Sequence, residues 1–139
     1  MYKKILLAVD GSEHSLRATE EAIKIASLSK ECQIDVILVA GYSKAKGEVL
    51  HASSKEELEL KRKEKISPAI NKINDTHIPY TMKIFHGEPG PAIVEFANNN
   101  SYDLLVIGSR GLNAFQEMVL GSVSHKVVKR ANCPVMVVK

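Results

Sequence analysis

Long apolar runs are missing from this sequence. The run near its start, Ile5 to Val9, is five residues long and Asp10 ends it. That is too short for the core of a secretory signal and far too short to cross a bilayer, so a soluble, cytoplasmic protein is expected, with no membrane partner. Charge of one sign is scarce as well. Lys and Arg number 19 against 16 Asp and Glu, a formal net charge of +3, and the two signs alternate along much of the chain. A nucleic-acid binder usually concentrates its basic residues on one face, so no nucleic-acid partner is expected. The two cysteines, Cys32 and Cys133, lie far apart without a CxxC pair or a histidine at ligand spacing. Each lies beside a predicted strand, and the reading is a small buried hydrophobe rather than a redox or metal centre. Internal repeats and low-complexity tracts are absent too.

What is present is an alternation of short apolar runs with longer amphipathic segments. At 139 residues the chain is expected to form one domain, 1–139, large enough to bury a core without disulfides or metal. "KKILLAV" reads as a strand. "SEHSLRATEEAIKIASLSK" reads as a helix with Leu16, Thr19, Ile23, Ala26 and Leu28 stepping three and four apart, capped by Ser12 with Glu13 at its positive end. "QIDVILVA" is a second strand, and "GYSKAKGEVLHA" a patternless loop. "SSKEELELKRKEKISPAINKIND" is a helix with Leu58, Arg62, Ile66, Ile70 and Ile73 near one stripe, its mixed charges forming a solvated face. Pro68 either kinks that helix or restarts it with Ser67 as a new cap. "PYTMKIFH", "YDLLVIG" and "PVMVV" are three further strands, with helices over "GEPGPAIVEFANNN" and from Ser122 to Ala131.

Strands separated by helices pair in parallel, and runs apolar at successive positions imply cover on both faces. The expected fold class is α/β, a doubly wound five-stranded parallel sheet in the order 3-2-1-4-5 with helices on both faces. Ligands of such sheets sit beyond the carboxyl ends of the strands where the order reverses, here between the first and fourth. The segments leaving those two strands are "DGS", Asp10 to Ser12, and "GSRG", Gly108 to Gly111.

The second of these opens the pattern G-x2-G-x9-G-S, made by Gly108, Gly111 and Gly121-Ser122. It is not a Walker A loop, because no Lys-Ser/Thr pair follows a glycine, and it is not the G-x-G-x-x-G turn of the first strand. Two readings stand. The glycines punctuate a turn, or they let backbone N–H groups close on a phosphate, helped by the start of the helix at Ser122 and by the charge of Arg110. Asp10 has two readings as well: a turn residue capping the following backbone, or a carboxylate for a ribose hydroxyl or a metal ion. No Asp or Glu ends the second strand, which disfavours a dehydrogenase and leaves Val39 and Ala40 to meet a base.

Catalytic candidates are poor. His14 and His125 fall in helices and His86 ends a strand on the far side of the proposed order, each without a partner at a mechanistic spacing. Neither a P-loop lysine nor a clear Walker B carboxylate is present, so efficient turnover is not expected.

"ILLAVDGSEHS", "GEPGPAIVEFA" and "DLLVIGSRGLNAFQEMVLGSVSHKVVKRANCPVMVV" together resemble the universal stress protein family, over essentially the whole chain and most strongly in its last third. The resemblance is to the ATP-binding branch. It implies a Rossmann-like fold of the adenine nucleotide alpha hydrolase type and a dimeric stress-response regulator. Gly108, Gly111, Gly121 and Ser122 would then hold phosphates, Asp10 would lie near ribose and phosphates, and Val39 would meet adenine through its backbone. Ser109, Arg110 and Val123 would be neighbours, with magnesium as an accompanying ion. The family typically pairs through its last strand, here Val135, Met136, Val137 and Val138, and an apolar edge strand is independently a surface that partners cover. Asn113, Gln116 and Glu117 depart from the pattern by adding polarity and a negative charge to the loop. Two alternatives remain: a slow magnesium-dependent nucleotide hydrolase, and a nucleotide-free dimeric interaction protein. A valine at Gly121 is expected to obstruct the phosphate and strain the turn.

Overall fold

The structure is a computed structural model that describes residues 1–40, 55–110 and 120–139. Nine elements alternate along the described chain: β1 (Lys4–Val9), α1 (Glu13–Ala26), β2 (Gln33–Ala40), α2 (Lys55–Asn74), β3 (Tyr80–His86), α3 (Pro89–Asn99), β4 (Leu104–Gly108), α4 (Ser122–Arg130) and β5 (Val135–Val138). The strands form one sheet in the order β3-β2-β1-β4-β5, all neighbours parallel. The order read from the sequence is the order found.

Two apolar layers explain why Ile5 to Val9 of β1 and Leu104 to Ile107 of β4 are apolar at successive positions. On one face Ile5, Leu7 and Val9 of β1 join Val36 of β2, Val106 of β4, Ala18, Ala22 and Ala26 of α1, and Ile66 and Ile73 of α2. On the other, Leu6 and Ala8 join Ile37, Leu105 and Ile107 with Ile93 and Ala97 of α3 and Val127 of α4. Adjacent residues of β1 therefore serve opposite layers, as the two-residue period of a strand requires.

Two readings of the helices change. The buried stripe of α1 is Ser15, Ala18, Thr19, Ala22 and Ala26, which keeps Thr19 and Ala26 of the set read from periodicity and replaces its bulkier members. Ile23 packs only at the margin of the core and Leu28 is exposed. Small side chains let this helix press close to the sheet, so its large residues fall to the sides. At Pro68 the helix neither restarts nor ends: α2 runs unbroken from Lys55 to Asn74. The buried stripe Leu58, Arg62, Ile66, Ala69 and Ile73 continues across the proline, which itself faces solvent. Packing on that stripe offsets the missing backbone hydrogen bond. Ser67 is no cap; its hydroxyl donates to the Lys63 carbonyl at 2.8 Å.

The loop read at Gly41 to Ala52 lies outside the described residues, as do Gly111, Asn113, Gln116 and Glu117. Cys32 is buried and Cys133 half-buried. Burial pushes both thiols above their ordinary range, so neither is an activated thiolate. Among the described residues no helix is long and apolar enough to cross a membrane.

Candidate functional site

The strand ends define a crevice above β1. Pairing of β1 with β2 stops at Val9 and Leu38, whereas β2 continues alongside β3 to Ala40 and His86. Val39 and Ala40 thus overhang the end of β1, and their backbone edge on that side lies beyond the β1 ladder. Val39 is half-buried against the α3–α4 layer.

The β1–α1 turn floors the crevice. Asp10 Oδ1 accepts from the Ser12 amide at 2.9 Å, so the turn role read for Asp10 is present. Gly11 has φ +87°, in the left-handed region that favours glycine, and a Cβ there would meet Lys65 of α2 at 3.4 Å. Ser12 caps α1 as expected, its Oγ accepting from the Ser15 amide at 3.1 Å.

The β4 corner faces it. A Cβ on Gly108 would lie 2.8 Å from both the carbonyl carbon and the Cβ of His14, and 3.0 Å from the Ser15 nitrogen. Glycine is required here so that α1 can press against the end of β4. Ser109, 3% exposed, joins four elements. Its amide donates to the Val138 carbonyl at 2.7 Å, and its carbonyl accepts from the Gly121 amide at 2.7 Å and from Ser124 Oγ at 2.9 Å. Its own hydroxyl lies 3.1 Å from His14 Nδ1. Half-buried Arg110 follows, its Cα 3.5 Å from where a Gly121 Cβ would stand.

The two glycine-bearing corners, twelve residues apart at Ser109 and Gly121, are therefore in direct contact. Gly121 is the N-cap of α4 with φ −66° and ψ 162°. That is ordinary extended backbone, so the strain expected of a valine there does not arise; its Cβ would instead enter the gap between the corners, 3.4 Å from the Ser109 carbonyl oxygen. The beginnings of α1 and α4 differ in kind. The first turn of α1 has a side-chain cap and an acidic residue, Glu13, while that of α4 has neither. Such a helix start presents its first-turn N–H groups and the positive end of its dipole, and among the described residues no side-chain cap answers them. Ser122 is exposed at this point and Val123 half-buried beside it. The arrangement suits an anion.

Sequence reasoning missed three residues here. His14 meets Ser109 across 95 positions. Ser124 is buried and ties Ser109 to Gly121, donating also to the Gly121 carbonyl at 3.0 Å. Lys65 belongs to a charge run read as solvated, yet its stem borders Gly11. The only local signal was the place of His14 and Ser124 in the first turns of helices that start at the crevice. His86 is exposed at the end of β3 with Arg62 Nη1 3.4 Å from its Nε2, and His125 is exposed on α4. No group of three or more His, Cys, Asp or Glu suited to a metal ion occurs among the described residues.

A depression of about 430 Å³ lies at the opposite end of the sheet, bordered by Ser101, Tyr102, Asp103, Asn132 and Cys133. Its polar groups bind one another or the adjacent backbone: Asp103 accepts from the Lys3 and Lys4 amides, and the Asn132 amide donates to Asn98. It lies at the amino ends of β4 and β5, away from the crevice.

Comparison with known proteins agrees with the fold. A family model described as the universal stress protein family matches residues 1–139. Universal stress protein MJ0531 of Methanocaldococcus jannaschii is 36% identical, over all of this chain and 83% of that protein. The solved structure of MJ0577 from the same organism superposes with a TM-score of 0.86 at 31% identity, covering all of this chain and 96% of that one. A family protein from Arabidopsis thaliana, solved with AMP bound, has a TM-score of 0.70 at 24% identity, over 99% of this chain and 91% of its own, a likeness of fold alone.

Proposed function

Because the chain belongs to the universal stress protein family, we propose that it binds ATP in the crevice above β1 and acts as a dimeric regulator rather than an efficient catalyst. One observation carries this reading: the start of α4, without a side-chain cap or an acidic residue, is joined to the β4 corner by the hydrogen bond from the Gly121 amide to Ser109. Phosphates would meet the amides of Ser122 and Val123 and the Ser122 hydroxyl, with Arg110 adding charge. Gly108 lets the corner close and Ser109 holds it, and Gly111 would belong to the same phosphate-holding set. Asp10 offers a carboxylate to the ribose or to a magnesium ion, and the overhanging backbone of Val39 offers hydrogen bonds to the edge of adenine. Magnesium fits this set only as a companion of the phosphates, since Asp10 could supply one oxygen and the rest would come from nucleotide and water.

The second half of the proposal concerns β5. Val135, Met136, Val137 and Val138 are all half-buried on a sheet edge with no charge among them, whereas the opposite edge, β3, carries exposed Thr81 and Lys83. An unguarded apolar edge is one that a second copy would cover. A cytoplasmic location belongs to the same reading.

Heating the purified protein and chromatographing the supernatant tests the ligand: an adenine nucleotide is expected, and a protein that neither releases one nor binds added ATP is a nucleotide-free interaction protein. A phosphate time course with magnesium separates a regulator, which leaves ATP intact, from a slow hydrolase.

A further inference from the structure

The polar atoms of Ser109 are engaged by three different elements: Val138 of β5 holds its amide, Gly121 and Ser124 at α4 hold its carbonyl, and His14 of α1 meets its hydroxyl. Only the last contact comes from the helix that Gly108 admits so closely, with no room for a Cβ against His14. The first turn of α1 thus grips the β4 corner twice, by shape at Gly108 and by a polar tie at Ser109.

We propose that His14 is a positioning residue of the phosphate corner, acting through Ser109 on the start of α4. The inference rests on the nucleotide reading above and deepens it. Ser109 is buried, so removing the imidazole leaves its hydroxyl without this partner and opens space beside Gly108. Ser109 is then held by its backbone alone, with one restraint fewer on the residue whose carbonyl sets where Gly121 and Ser124 stand. A small rotation there displaces the first-turn amides of α4 from a bound phosphate. It leaves adenine recognition alone, because Val39 lies on β2, across β1 from the corner.

The test is calorimetric titration of the full chain with magnesium-ATP and with adenosine, for wild type, His14→Ala, His14→Asn and Ser109→Ala, alongside thermal unfolding of each. His14→Ala should weaken ATP about three- to tenfold, the effect of one lost hydrogen bond, and leave adenosine unchanged. Asparagine carries an amide oxygen that accepts and an amide nitrogen that donates, each at the same bond distance from Cα as Nδ1, so His14→Asn should recover most of the loss. Ser109→Ala should behave as His14→Ala does, and it carries the comparison if His14→Ala does not fold. ATP affinity unchanged in both alanine variants, equal weakening of ATP and adenosine, or an asparagine variant no better than alanine would overturn the assignment. Wild type that binds neither ligand removes the nucleotide reading and this inference with it; wild type that binds ATP with unaffected variants removes only the role of His14.

Discussion

Single residues at the crevice separate into those that shape it and those that would meet a ligand. Gly108 shapes it, because a methyl group there collides with the backbone of α1 at 2.8 Å. Gly108→Ala should therefore lower the unfolding free energy by about 1–3 kcal/mol, read by denaturant titration. Gly121 is different, since its backbone is one any residue adopts and the space for a Cβ is adequate. Gly121→Val should keep the fold and lose ATP affinity, roughly tenfold or more if its methyl groups displace two amide-phosphate hydrogen bonds. Unchanged calorimetric affinity in the folded variant would count against the corner as a phosphate site. The spacing G-x2-G-x9-G-S marked both positions without distinguishing these roles, because a glycine needed for packing and one that borders a ligand look alike in sequence. His14 was unreadable for a related reason: its partner Ser109 is distant in the chain, and nothing local marks the pair.

Among the elements, α1 and α4 are a matched contrast. Ser12 holds the first turn of α1, so Ser12→Ala should cost about 1 kcal/mol of stability. The first turn of α4 lacks such a cap. Gly121→Asp would place a carboxylate on those amides, and the expected result is a melting temperature held or raised together with weakened ATP binding. A stabilised variant that binds ATP as before would show that the helix start is not where the phosphates lie. At this scale the sequence was informative about strands and less so about helix faces. The central strands are apolar because both of their faces are covered, which leaves a run no loop would carry. Periodicity found Thr19 and Ala26 on the face of α1 but weighed bulk elsewhere, while close packing on the sheet selects Ser15, Ala18 and Ala22. Pro68 could not be resolved locally, since what carries the helix through it is the packing of Ile66, Ala69 and Ile73 on the face of the helix turned away from the proline.

For the whole molecule, a polar cluster lies at the end of the sheet opposite the proposed site. At the amino end of β2, Asp35 accepts from Tyr102 Oη at 2.6 Å, Gln33 Nε2 at 2.6 Å and Thr81 Oγ1 at 2.7 Å. Burial alone would raise its carboxyl, but these donors, with the Lys4 charge, outweigh it and hold the group below the usual carboxylate range. A depressed folded-state value contributes stability that is complete above about pH 4 and is lost as the pH falls through the folded value. Asp35→Asn should thus be destabilised near neutrality, by on the order of 1 kcal/mol given the partial exposure of the carboxylate, with the gap to wild type closing in acid. Assembly belongs to this scale too. If β5 forms the proposed dimer seam, Val137→Lys should yield a folded monomer in sedimentation experiments where wild type sediments as a dimer. The central claim, that two chain corners tied through Ser109 offer the amides of α4 to a polyphosphate, is tested most directly by ¹⁵N–¹H correlation spectra recorded as magnesium-ATP is added. The account predicts that the Ser122 and Val123 amides move most, ahead of those of Ser109 and Gly121, which are already bonded within the protein. ATP that binds while the Ser122 and Val123 signals stay in place would contradict it.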